Sequence, residues 1–202
     1  MRKDEAIRII TDCAKLYHSN LENRNLLFIF GENNKYDFFE SLFLPRHYMH
    51  LTGVKLLSRS IRSSDFYNLC LKGKLPASVF TFQENGTTEM KLSVLSRIVN
   101  IHKTAKMVGE YDYTKSLLIT EKIVGTVTAC LGFVRDGDYF APNTILREDI
   151  RDVTTMPQSK VLAVLSKTIN EERYTLYTYL ATGVSTDIAQ TSNKLRSKIS
   201  LL

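Results

Sequence analysis

Between residues 4 and 21 the apolar positions Ile7, Ile10, Ala14, Tyr17 and Leu21 recur three and four apart, which predicts an amphipathic helix. The run LLFIF (26–30), stopped by Gly31, predicts a buried strand, and the polar ENNKYDFF after it predicts a turn. Pro45 and Gly53 bracket LPRHYMHLTGVK (44–55), so this stretch reads as a short extended segment or loop. A short helix is expected over 63–73, with Ser63 or Ser64 as cap and Gly73 at its end. ENGTT (84–88) reads as a turn. A longer helix follows over about 88–109, with Val94, Ile98, Ile101, Ala105 and Val108 as its apolar stripe and Gly109 as terminator.

The period then changes. SLLITEKIV (116–124), VTACLGFV (127–134), YFAPNTIL (139–146), KVLAVLSKTI (160–169) and YTLYTYLA (174–181) are rich in β-branched and aromatic residues, as strands are. RDGD (135–138) suits a hairpin turn at Asp136-Gly137, and NEER (170–173) suits a second. Helices first and an antiparallel meander afterwards predict an α+β fold. Residues 1–181 are expected to form one domain, and the polar 182–202 a tail or short helix.

At 202 residues and 44% hydrophobic, the chain is long enough for one domain with a real core. No stretch reaches the roughly 18 apolar residues of a membrane span, and Asp4 and Glu5 break the start as a signal peptide. A cytoplasmic protein without membrane contact is expected. Cys13, Cys70 and Cys130 are far apart and set among apolar neighbours, so they read as buried thiols, not as metal or redox motifs. The net charge of +6 favours a polyanionic partner, nucleic acid above all, although no polybasic block occurs.

Absent motifs narrow the chemistry. The chain has no P-loop, no GxGxxG after a strand, no GxSxG elbow and no HExxH. Asp136 and Asp138 resemble a metal-binding pair, but an Asp-Gly turn asks for them anyway. Glu148, Asp149 and Asp152 alternate with arginines as on a solvated face. No cofactor or metal is expected.

Metal-free RNA cleavage needs a base for the 2′-hydroxyl, an acid for the 5′-oxygen and a cation for the phosphorane. Arg46, His47, His50 and Lys55 are the right residue types within ten positions. In an extended segment Arg46, Tyr48 and His50 would share one face; in a helix His47 and His50 would. The plain alternative is a core histidine bonded to backbone. His18 and His102 lie on predicted helices without such neighbours. Tyr139, Phe140, Tyr174, Tyr177 and Tyr179 could stack on bases, but core packing is the ordinary role of strand aromatics.

The initial helix with LLFIF, then FFESLFLPRHYMHLTGV, then a helix and CLGFVRDGDYFAPNTILREDIRD, resemble the phage-borne Barnase–EndoU–colicin–RelE-like (PBECR-type) nucleases. The resemblance spans about residues 10–180, and HLTGV and DYFAPNTIL are its most specific parts. It implies N-terminal helices packed on a curved, mainly antiparallel sheet (BECR-like), whose open face receives RNA, and metal-independent RNase activity. His50, Thr52 and Gly53 match the first motif, and Pro142, Asn143 and Thr144 the second.

The expectation is thus an endoribonuclease-like domain of a phage or mobile element, of toxin or effector type. His50 would be base or acid, Arg46 the phosphate clamp, and Lys55 and Thr144 further catalytic candidates. His47, Thr52, Lys122 and Asn143 would touch substrate. RNA is the expected partner, and an inhibitor protein is a second. The rival is a non-catalytic module of a mobile element that binds nucleic acid or protein.

Overall fold

The fold is seen in a computed structural model that describes residues 1–32, 35–115 and 118–200. Residues 33–34 of the expected turn, the start of the strand expected at 116–124, and the last two residues of the expected tail lie outside the described residues.

Helix α1 (Lys3–Asn20) follows the first apolar stripe and buries Ala6, Ile10, Cys13, Ala14 and Tyr17. Strand β1 (Arg24–Glu32) pairs along its length with β2 (Lys35–Phe43). Expected as a polar turn, residues 35–39 instead belong to a strand. Phe39, Ser41 and Phe43 alternate inward along it, and the polar Lys35–Asp37 lie on its exposed end.

The 44–55 segment also differs from expectation. It coils into a 3₁₀ turn (Pro45–His47) and helix α2 (Tyr48–Thr52), with Gly53 at φ +70° as its left-handed cap. The bracketing residues that suggested a loop are the punctuation of a short helix: proline suits a first helical position, and glycine the position after the last. Strand β3 (Lys55–Leu56) then pairs with β4 (Phe80–Thr81), on either side of α3 (Ser63–Leu71). Arg62, not a serine, is the cap residue of α3, and its backbone N–H donates to Asp65.

The long helix expected over 88–109 ends early. Helix α4 (Thr87–Ile98) stops at Val99, α5 (Ile101–Thr104) adds one turn, and β5 (Met107–Glu110) takes the rest into the sheet. Gly109 lies inside β5, where a Cβ would come within 2.6 Å of Thr154. Strands β6 (Lys122–Gly125), β7 (Cys130–Asp136) and β8 (Tyr139–Leu146) form an antiparallel meander. Asp136 pairs with Tyr139, so the hairpin turns on Gly137-Asp138, one residue later than expected, with Gly137 at φ +63°. The short α6 (Ile150–Val153) is followed by β9 (Ser159–Thr168) and β10 (Leu176–Leu180).

Among the described residues the large sheet has eight strands in the order β1-β2-β8-β7-β6-β5-β9-β10, and β1 also pairs with β9. That extra pairing curls the sheet back on itself. Phe28 on β1 meets Phe133 on β7, strands that are not neighbours, at 6.0 Å between ring centres, and Phe39 bridges them. Helices α1 to α4 pack against this inner face in one apolar cluster. The fold is therefore α+β, with helices on a curved, mainly antiparallel sheet.

The outer face carries two smaller clusters. One gathers Leu27, Ile29, Leu162 and Leu165 under Ile188, Leu195 and Ile199 from the C-terminal segment, which holds a 3₁₀ turn (Thr186–Gln190) and helix α7 (Asn193–Lys198). The other gathers Tyr111, Ile123, Cys130, Leu146, Ile150 and Val153.

Candidate nuclease site

The 3₁₀ turn and α2 stand on the inner side of the sheet, anchored by Tyr48 and Leu51, both fully buried. The Tyr48 hydroxyl donates to the Ile10 carbonyl at 2.6 Å, which ties the segment to α1. Two buried side chains at 48 and 51 fix the rotation of the turn, and Arg46 and His50 are left at the surface.

His47 turns inward. It is 6% exposed, and its Nδ1 accepts from the Leu44 N–H at 3.2 Å. Burial, reinforced by the Arg46 charge, lowers its pKa from 6.5 to about 4, so the ring is neutral near pH 7. His50 lies at the surface with protein on one side. Lost hydration there lowers its pKa below 6.5, and the Lys91 charge pushes in the same direction. A mostly neutral imidazole at pH 7 can accept a proton.

Arg46 reaches across to the hairpin tip, where its Nη2 lies 3.2 Å from Asp136 Oδ2. Both side chains are more than half exposed, at 58% and 59%. An exposed pair of this kind contributes at most about 1 kcal/mol, so a phosphate can displace the carboxylate at little cost.

Sequence reading missed Lys91. It lies on α4, is 8% exposed, and its Nζ donates to the His50 carbonyl at 2.9 Å. Burial lowers its pKa to about 8, so it remains mostly charged at pH 7. Its stem runs under Gly53, where a Cβ would stand 2.8 Å from Lys91 Cδ. Thr88, one helical turn earlier, donates to the Gly53 carbonyl at 2.8 Å. Helix α4 thus braces the C-terminal end of α2, where a cation suits the exposed carbonyls. In the sequence Lys91 is one lysine on a helix; only the packing of α4 on α2 singles it out.

The remaining candidates are dispersed. Thr52 is fully buried and donates to the Met49 carbonyl at 2.7 Å, so its hydroxyl holds α2 together instead of facing substrate. Thr144 is 8% exposed and pairs across the β7–β8 ladder with Gly132, where a Cβ would come within 2.9 Å of its methyl group. Asn143 donates to the Ile119 carbonyl. Lys122 pairs with Glu110, and its ammonium lies 5.9 and 5.8 Å from the Phe39 and Phe140 rings. Lys55 is exposed on β3 and borders a groove. Arg46, His47 and His50 therefore gather with Asp136 and Lys91, while Thr52 and Asn143 are bonded to backbone carbonyls and Thr144 is buried in the sheet.

The other histidines and the cysteines stand apart. His18 pairs with Glu22 on the surface of α1. His102 is 4% exposed with an unpartnered Nδ1, and burial lowers its pKa to about 4. Burial pushes Cys13 up to about 11, and Cys70 and Cys130 up to about 12, so none is a ready nucleophile. Among the described residues no group of three or more His, Cys, Asp or Glu side chains is placed to hold a metal ion. No helix among them is long and apolar enough to cross a membrane.

A helical layer inside a curved, mainly antiparallel sheet is consistent with a BECR-like nuclease-type domain. The chain belongs to the phage-Barnase-EndoU-ColicinE5/D-RelE like nuclease 4 family, which matches residues 9–183. No curated protein and no solved structure matches the chain.

Proposed function

We propose that the domain is an endoribonuclease that cleaves RNA by attack of its own 2′-hydroxyl, with His50 as base and Arg46 as phosphate clamp. The observation that carries this reading is the brace on α2, by which a buried lysine fixes the backbone of a surface histidine beside an arginine that a phosphate can recruit.

In the proposed step the 2′-oxygen attacks phosphorus as His50 takes its proton. The bond to the 5′-oxygen breaks, and a 2′,3′-cyclic phosphate remains. Arg46 leaves Asp136 for the phosphate oxygens, where charge accumulates in the transition state. The 5′-oxygen takes its proton from water. The step needs no metal ion. A phage or mobile-element setting, and action as a toxin or effector inside the cytoplasm, belong to this reading, as does control by an inhibitor protein. The family name supports the phage setting.

A second reading, RNA binding without cleavage, is favoured by one observation. His47, the other imidazole of the segment, is turned inward and bonded to backbone, so the surface offers one histidine and not two. Incubation of single-stranded RNA with the wild type and with His50→Ala in EDTA separates the two. Cleavage that falls about 10²–10⁴-fold in the variant supports the nuclease, as expected for loss of one proton-transfer group. Bound but intact RNA supports the binding module.

A further inference from the structure

Five residues beyond His50, Lys55 stands at the rim of a groove of about 390 Å³. Its other lining residues are Thr81, Phe82, Gln83, Glu84 and Asn85. The volume falls within the range of small-ligand sites. A five-residue link holds the Cα atoms of His50 and Lys55 within about 18 Å of each other, a reach of two or three nucleotides.

The groove is fixed to the candidate site by buried bonds. Thr88 is fully buried; its hydroxyl accepts from the Gln83 N–H at 2.9 Å and donates to the Gly53 carbonyl at 2.8 Å. One side chain therefore joins the groove wall to the cap of α2, and Lys91 joins that cap to His50. The groove's polar side chains, by contrast, are uncommitted. Among the described residues no hydrogen bond or ion pair engages the side chains of Lys55, Gln83 or Glu84. The Asn85 carbonyl oxygen accepts from the Thr87 N–H, and its NH₂ group remains for another acceptor. Phe82 is half-buried and leans on Phe80, with ring centres 6.2 Å apart, which holds an aromatic ring in the wall.

An aromatic ring, two amides, a carboxylate and a lysine match one ligand chemistry. The ring offers a stacking surface to a base, the amides donate to and accept from a base edge, the carboxylate accepts from an amino group, and the lysine meets a phosphate. Glu84 sets a preference, because its exposed carboxylate accepts from an exocyclic amino group, while the ring N–H of uracil is flanked by two carbonyl oxygens that repel a carboxylate. Adenine, cytosine and guanine carry one, and uracil does not.

We propose that this groove is a nucleobase seat for single-stranded RNA threaded past His50, selective for amino-bearing bases over uracil. The inference rests on the nuclease reading for its substrate but is tested by binding alone. The full chain, isotope-labelled, is titrated with each of the four nucleoside 3′-monophosphates and followed by NMR. The expected result is saturable shifts of the Gln83 and Asn85 side-chain amides with the adenosine, cytidine and guanosine nucleotides. Uridine 3′-monophosphate should bind at least about tenfold more weakly, a difference of the size a single base-edge contact makes. Glu84→Gln, an exposed change, should level that preference, and Lys55→Gln should weaken all four.

Groove signals that stay still for every nucleotide while the chain cleaves RNA would overturn the seat and leave the nuclease reading in place. Equal binding of all four, unchanged in Glu84→Gln, would overturn the selectivity. Nucleotides seated as expected on a chain that leaves RNA whole would uphold the seat and remove the nuclease.

Discussion

His50 and Lys91 show how a residue's task depends on what lies behind it. Lys91 on α4 and His47 in the preceding turn are the titratable groups that face His50, and Lys91 is the charged one at pH 7. Removing that charge in Lys91→Met should raise the His50 pKa toward 6.5 and shift the rising limb of the cleavage profile to higher pH. Lys91→Arg should restore the wild-type position. NMR titration of the His50 ring measures the shift without reference to activity; an unmoved pKa would mean that Lys91 serves packing alone.

The buried histidines carry a second prediction at this scale. His47 and His102 are held neutral, with pKa values near 4 against 6.5 in the unfolded chain. Below pH 6.5 the unfolded chain takes up protons that the folded chain refuses, so stability present above pH 6.5 is lost as pH falls toward 4. Each contributes on the order of 3 kcal/mol at full extent, with about 1.4 kcal/mol per pH unit. Denaturant midpoints should therefore drop through this window, and His102→Leu, which also removes an unpartnered buried nitrogen, should flatten the slope. An equal slope in the variant would contradict the assignment.

At the scale of elements, legibility followed local signals. Helix α1, strands β8 and β9 and the Asp-Gly hairpin were readable because a period or a turn dipeptide specifies each one within its own residues. The second strand was not, because its first residues, Lys35 to Asp37, are exposed and polar, and only pairing with β1 makes them a strand. The apolar period of α4 carries on past its end through Ile101, Ala105 and Val108, positions that the core needs whether helix or strand supplies them. The histidine-bearing turn is marked by its residue types, but proline and glycine at its ends fit a loop as well as a short helix, and its partner Lys91 has no local signature.

The α2–α4 junction gives this scale its prediction. Gly53 sits at φ +70°, and its missing Cβ leaves room for the Lys91 stem. Gly53→Ala should destabilise the chain by at least about 1 kcal/mol, the usual cost of that conformation for other residues. It should also lower cleavage by more than the folded fraction explains, because the brace behind His50 is displaced. Urea midpoints and rates, measured on the same samples, check both; an unchanged midpoint would show that the junction is loose.

At the scale of the molecule, closure of the sheet through the β1–β9 pairing leaves an outer face that needs cover. The segment beyond residue 181, expected as a polar tail or short helix, supplies it with Ile188, Leu195 and Ile199, and Lys198 pairs with Glu40 on β2. Its few apolar residues are spaced too irregularly to announce this role. A chain ended at residue 181 should expose Leu27, Ile29 and Leu165, bind a hydrophobic dye and unfold with lower cooperativity. A truncated chain with wild-type unfolding would show that the segment is dispensable.

If His50 abstracts a 2′-hydroxyl proton, the end group of the product records it. Purified protein is incubated in EDTA with a single-stranded RNA and with DNA of the same sequence, and the fragments are analysed by mass. The expected result is RNA fragments ending in 2′,3′-cyclic phosphate, intact DNA, and formation about 10²–10⁴-fold slower with His50→Ala. RNA that stays whole with or without Mg²⁺, or a His50→Ala variant that forms the cyclic end as fast as the wild type, would contradict it.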